Sequence, residues 1–93
     1  MENEISEEKL KKYFDLTERA LAEVKKNIVA GREGDAKEII VMVSNYVSDA
    51  RHFEEKGDWV NAFAALAYAH GWLDAGVRLK IFDVDDRDLF TVR

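Results

Sequence analysis

Three stretches of the chain repeat apolar residues every three or four positions, the period that puts them on one side of a helix. In the first, Leu10, Phe14, Thr17, Leu21, Val24 and Ile28 form a stripe, widened by Tyr13 and Ala20, and the remaining positions are mostly Lys, Glu, Asp and Arg. In the second, Ile39, Val43, Tyr46, Ala50 and Phe53 form the stripe, flanked by Ile40, Met42 and Val47. In the third, Trp59, Phe63, Leu66, His70, Leu73, Val77 and Ile81 align, and Ala62, Ala65, Ala69 and Gly76 make a small-residue stripe beside them. The punctuation agrees. Ser6 before Glu7 and Glu8 reads as an N-cap, Gly31 to Gly34 as a break, and Asp35 with Glu38 as a capping box. Gly57 followed by Asp58 reads as a helix stop and an immediate restart, which makes the second and third helices antiparallel neighbours. The expectation is an all-α, antiparallel three-helix bundle forming one domain over 1–93, with helices at 7–30, 36–56 and 59–82 and a short C-terminal tail.

The third helix is more apolar than a bundle requires. Its far side carries Val60, Ala64, Ala67, Tyr68, Gly71, Ala75, Leu79 and Phe82, with Trp72 at the border and only Asn61, Asp74, Arg78 and Lys80 as polar relief. A helix that is apolar all round is normally covered all round. In a chain of 93 residues little remains to do the covering. Val60, Tyr68, Trp72, Leu79 and Phe82 are therefore candidate interface residues, and the simplest partner is a second copy meeting the same patch. The opposing expectation is that the first helix and the tail wrap over them.

Composition removes whole classes of function. The absence of cysteine excludes disulfides, thiolate nucleophiles and Cys-based metal sites. The absence of proline suits long helices. A formal charge of −5, with the basic residues scattered, argues against nucleic-acid binding and leaves an RNA-associated module least favoured. No apolar run is long enough to span a membrane, and the acidic MENEISEE start does not read as a signal peptide. The expectation is a soluble cytoplasmic protein whose Met1 to Ile5 are frayed, and whose last residues, Leu89 to Arg93, dock back or meet a partner.

Candidate chemistry is sparse. His70 and Asp74 stand four apart on one helix, so their side chains can meet, and Tyr46, Trp72, His70 and Asp74 outline a pocket between the second and third helices. Two such groups do not make a metal site, and a buried histidine bonded to a neighbour accounts for His70 as well. Asp74 and Arg78 have the spacing of an ion pair or of a specificity device at an interface. His52 follows Arg51 directly, without the spacing of helical RNA-cleaving domains, and reads as a surface residue. Asp83, Asp85, Asp86 and Asp88 lack the glycine and terminal glutamate of a calcium loop. There is no phosphate loop and no serine nucleophile motif. No catalytic residue, metal or cofactor is assigned, and the protein leans away from being an enzyme. The alternative is a ligand-binding protein or enzyme centred on His70 and Asp74.

Asp49-Ala50, Phe53, Lys56-Gly57-Asp58, Ala62-Phe63-Ala64-Ala65, Ala69, Gly71-Trp72-Leu73-Asp74-Ala75-Gly76 and Arg78 resemble the short archaeal proteins grouped as domain of unknown function 357. The resemblance covers the second and third helices, and the first only by length and pattern. Its most specific part is the Gly-Trp-Leu-Asp-Ala-Gly segment. The chain departs from the family pattern at Lys80, where a glycine is frequent. What the resemblance implies is a small all-α fold and an archaeal, cytoplasmic origin. It implies no activity and carries over no catalytic residue.

Overall fold

A computed structural model describes residues 5–90. Three helices follow one another: α1 Glu7–Lys25, α2 Glu33–Glu55 and α3 Trp59–Arg78. They pack as a three-helix bundle in which α2 and α3 share the largest interface, α1 lies mainly on α3, and α1 meets α2 least. The expected fray at Met1–Glu4 and the last residues of the tail, Thr91–Arg93, lie outside the described residues.

Local chemistry accounts for most helix ends. Ser6 accepts from the Lys9 amide at 3.1 Å, and Asp58 accepts from the Asn61 amide at 3.2 Å, so both N-caps form as their positions predict. After α2, the Gly57 amide donates to Glu54 O at 3.0 Å and the Asp58 amide to Phe53 O at 2.9 Å, with Gly57 at φ 77°. That pair of bonds is a Schellman motif, which needs a left-handed residue at its corner.

Three ends differ from the sequence reading. The first helix stops at Lys25, not at 30. The Asn27 side-chain amide donates to Glu23 O at 2.8 Å, closing the last turn. The chain then extends so that the Val29 amide donates to Ile81 O at 3.0 Å and the Asp83 amide to Asn27 O at 2.7 Å. Ile28 and Phe82 thus face each other in an isolated antiparallel bridge. The β-branched pair Ile28-Val29 suits extended backbone, and the bridge to Phe82, far along the chain, decides the matter. The second helix starts at Glu33 with Arg32 at its cap, so Asp35 is inside the first turn and does not cap it. Glu33 instead reaches back to the Gly31 amide at 3.0 Å, while Arg32 pairs with Asp35 at 3.1 Å and donates to Leu79 O at 3.2 Å. The third helix ends at Arg78, not at 82. The Lys80 amide donates to Val77 O at 3.1 Å and the Ile81 amide to Gly76 O at 2.9 Å, with Lys80 at φ 63°. This is a second Schellman motif, built here around a lysine.

The core has two centres. One gathers Ala20, Val24, Ala36, Ile39, Val43, Ala69, Leu73 and Val77 from the helices, and Ile81, Phe82, Leu89 and Phe90 from the tail. The other gathers Leu10, Phe14, Ala50, Ala62, Ala65 and Leu66, with Ile5, Tyr13, Phe53, Trp59 and Phe63 at its rim. Arg51 ties α1 to α2 over the second centre. Its guanidinium sits 3.9 Å from the centre of the Phe14 ring and pairs with Glu18 at 2.8 Å. Thr17 is fully buried, and its hydroxyl has no hydrogen-bond partner among the described residues.

Candidate functional site

Four of the five candidate interface residues are exposed. Val60 is 52% accessible, Tyr68 64%, Trp72 41% and Leu79 61%. All four belong to α3 or its C-cap. With Ala67, Gly71 and Ala75, also exposed, they make one stripe that runs the length of the helix. Ala67, Tyr68, Gly71, Trp72 and Ala75 line a shallow apolar concavity of about 400 Å³. Tyr68 stacks on Tyr46 of α2, with ring centres 5.7 Å apart and planes 28° apart, which carries the patch onto the neighbouring helix. The other large exposed apolar side chains, Ile28 and Val41, lie on other elements.

Phe82 does not belong to this surface. It is 2% accessible and part of the core. The helix ends four residues before it, and the left-handed Lys80 turns the chain back over α3. The Phe82 ring then lies directly on the backbone of Gly76. A Cβ at Gly76 would sit 2.5 and 2.7 Å from two atoms of the ring. Gly76 is thus the seat that lets the tail close. Periodicity extended α3 through Phe82 and so put it on the wrong side.

Gly71 is the opposite case. It sits mid-helix with ordinary helical φ, and a Cβ there would meet nothing within 4 Å. An interior helical glycine costs about 1 kcal/mol relative to alanine. No contact among the described residues requires that cost.

The pocket expected between Tyr46, His70 and Asp74 takes a different form. Tyr46 is engaged with Tyr68, on the exposed side. His70 lies toward the tail. Its Nε2 donates to Leu89 O at 2.6 Å, and its ring lies 6.4 Å from that of Phe90. Because a carbonyl only accepts, this contact puts a proton on Nε2. The Nδ1 atom is buried and makes no hydrogen bond among the described residues. Asp74 Oδ1 is 4.0 Å from His70 Nε2, as their spacing on the helix predicts. The tail therefore occupies the ground next to His70. Its last turn is held by Asp86, whose Oδ1 accepts from the Asp88 amide at 2.9 Å and whose carbonyl accepts from the Phe90 amide at 2.9 Å. One member of the aspartate run thus has a structural task that its sequence context did not announce. No group of three His, Asp or Glu side chains able to hold a metal ion occurs among the described residues. No helix among them is long and apolar enough to cross a membrane.

Residues 12–82 match the model of a family described as "Protein of unknown function (DUF357)". The chain belongs to that family. The matched span takes in α1 from Lys12 onward, both later helices and the Phe82–Gly76 contact, and it ends before the turn that brings Leu89 and Phe90 onto His70. The family description assigns no activity, so the site must be argued from its own geometry. No curated protein and no solved structure matches the chain.

Proposed function

We propose that this chain is a non-catalytic interaction module, working in the cytoplasm, that associates with itself through the exposed face of α3. The observation that carries the proposal is the uncovered stripe of Val60, Tyr68, Trp72 and Leu79. Exposed aromatic and aliphatic side chains grouped on one element are the usual mark of a protein contact, and Trp and Tyr favour its centre. The stripe carries little charge, which suits a surface that is to lose its water. Sedimentation equilibrium over a wide concentration range tests the reading. The expected result is a dimer mass that Trp72→Glu or Tyr68→Glu returns to the monomer mass without loss of helix content. A wild-type chain that stays monomeric at the highest attainable concentration sinks it.

A ligand at His70 and Asp74 has one observation in its favour, the unpartnered buried Nδ1 of His70. Against it stand the Nε2 bond to Leu89 and the cover of Phe90, which a ligand would have to displace. Elemental analysis and small-molecule mass spectrometry of the purified protein test this reading. A stoichiometric ligand lost on His70→Phe substitution is the result that would put it first.

A further inference from the structure

We propose that the two α3 helices of the dimer run antiparallel, about a two-fold axis at the level between Ala69 and His70. This rests on the self-association reading above and adds its geometry. About that level the stripe is complementary in size at its centre, where the large Tyr68 mirrors the small Gly71. An antiparallel partner with this axis puts Tyr68 of one copy level with Gly71 of the other, and Trp72 level with Ala67. Ala64 comes level with Ala75, and Val60 with Leu79. Tyr68 and Gly71 both lie near the middle of the stripe, so at that level the ring of one helix fills the gap of the other, as close packing requires. Gly71, open on its own chain, becomes the place where the second copy's Tyr68 comes nearest the helix backbone.

A parallel pair loses this fit. It sets Trp72 beside Trp72 and Tyr68 beside Tyr68, and leaves Gly71 facing Gly71. Charge points the same way. Arg78 and Lys80 are exposed at one end of the stripe, and Asp58 with exposed Glu55 stands at the other. Antiparallel packing brings Arg78 of one copy level with Asn61 of the other, whose amide donates to the Asp58 carboxylate at 2.7 Å. Parallel packing stacks Arg78 on Arg78, which like-charge repulsion disfavours.

The absence of cysteine makes the test clean. Val60→Cys and Leu79→Cys are prepared as separate proteins, mixed, and treated with a short bismaleimide. Positions 60 and 79 are about 28 Å apart along one helix at 1.5 Å per residue, so neither variant alone can bridge its own two-fold mate in the antiparallel arrangement. The expected result is covalent dimer from the mixture, roughly tenfold or more above either variant alone. A second arm swaps sizes across the axis. Gly71→Trp should weaken the dimer by about tenfold or more, and Gly71→Trp/Tyr68→Ala should restore most of the loss. A dimer in which each single-cysteine variant cross-links as well as the mixture, or which ignores the size swap, overturns the antiparallel arrangement and leaves self-association standing. A wild-type chain that never dimerises overturns both.

Discussion

Both flanks of α3 are largely apolar, and the fold treats them differently. On one flank, His70, Leu73, Gly76 and Val77 meet Ile81, Phe82, Leu89 and Phe90 as the tail folds back. On the other, Val60, Tyr68, Gly71, Trp72 and Leu79 remain in solvent. What separates them is where the chain goes after Arg78. The Lys80 corner and the bridge to Ile28 steer the tail toward α1 and the covered flank. The lesson is that apolarity marks a surface as worth covering without saying by what. The covered flank uses the chain's own last residues, and under the reading above the open flank uses a second chain.

This contrast can be broken by mutation. The largest effect belongs to the covered flank. Phe82→Ala removes a fully buried ring and should cost about 3–5 kcal/mol in urea unfolding, with a lower midpoint at unchanged slope. A loss below about 1 kcal/mol would mean the ring is not seated as described. Next, Gly76→Ala forces a methyl into the Phe82 ring and should destabilise by about 1–3 kcal/mol, where the same change at open Gly71 should stabilise the monomer by about 1 kcal/mol. Equal effects at the two glycines would erase the distinction between the flanks. Lys80→Gly relieves a left-handed lysine at a Schellman corner and should raise the thermal midpoint, for a gain of about 0.5–1 kcal/mol. Smallest of all, Leu79→Ser and Tyr68→Ser on the open flank should change monomer stability by no more than about 0.5 kcal/mol while weakening the dimer. A destabilisation of core size at Tyr68 would place it inside the fold. Thr17→Val stands apart from both flanks. It exchanges a buried, unpartnered hydroxyl for a methyl, and should be neutral or stabilising by about 1 kcal/mol in the same unfolding assay.

Much of this molecule is determined by the sequence alone, because the signals involved are local. Residues three and four apart share a helix face whatever else the chain does, so the stripes of α1, α2 and α3 and their burial follow from spacing. Ser6 and Asp58 cap because their side chains reach amides three residues on, and Gly57 turns the chain because it accepts positive φ. The stripe of Val60, Tyr68, Trp72 and Leu79 was legible for the same reason.

Only the tertiary structure decided the remainder, and each instance is a contact between residues far apart in the chain. Ile28 leaves its helix because Phe82 is there to pair with. Lys80 takes a glycine's conformation because the corner it makes lets Phe82 reach Gly76, a seat that no helical period discloses. Arg51 becomes a tie between helices only because Phe14 and Glu18 lie opposite it. His70 finds its partner in the carbonyl of Leu89, a backbone atom with no residue identity to read. Such contacts join separately formed elements, and their energy depends on where the chain turns rather than on what stands beside it in the sequence.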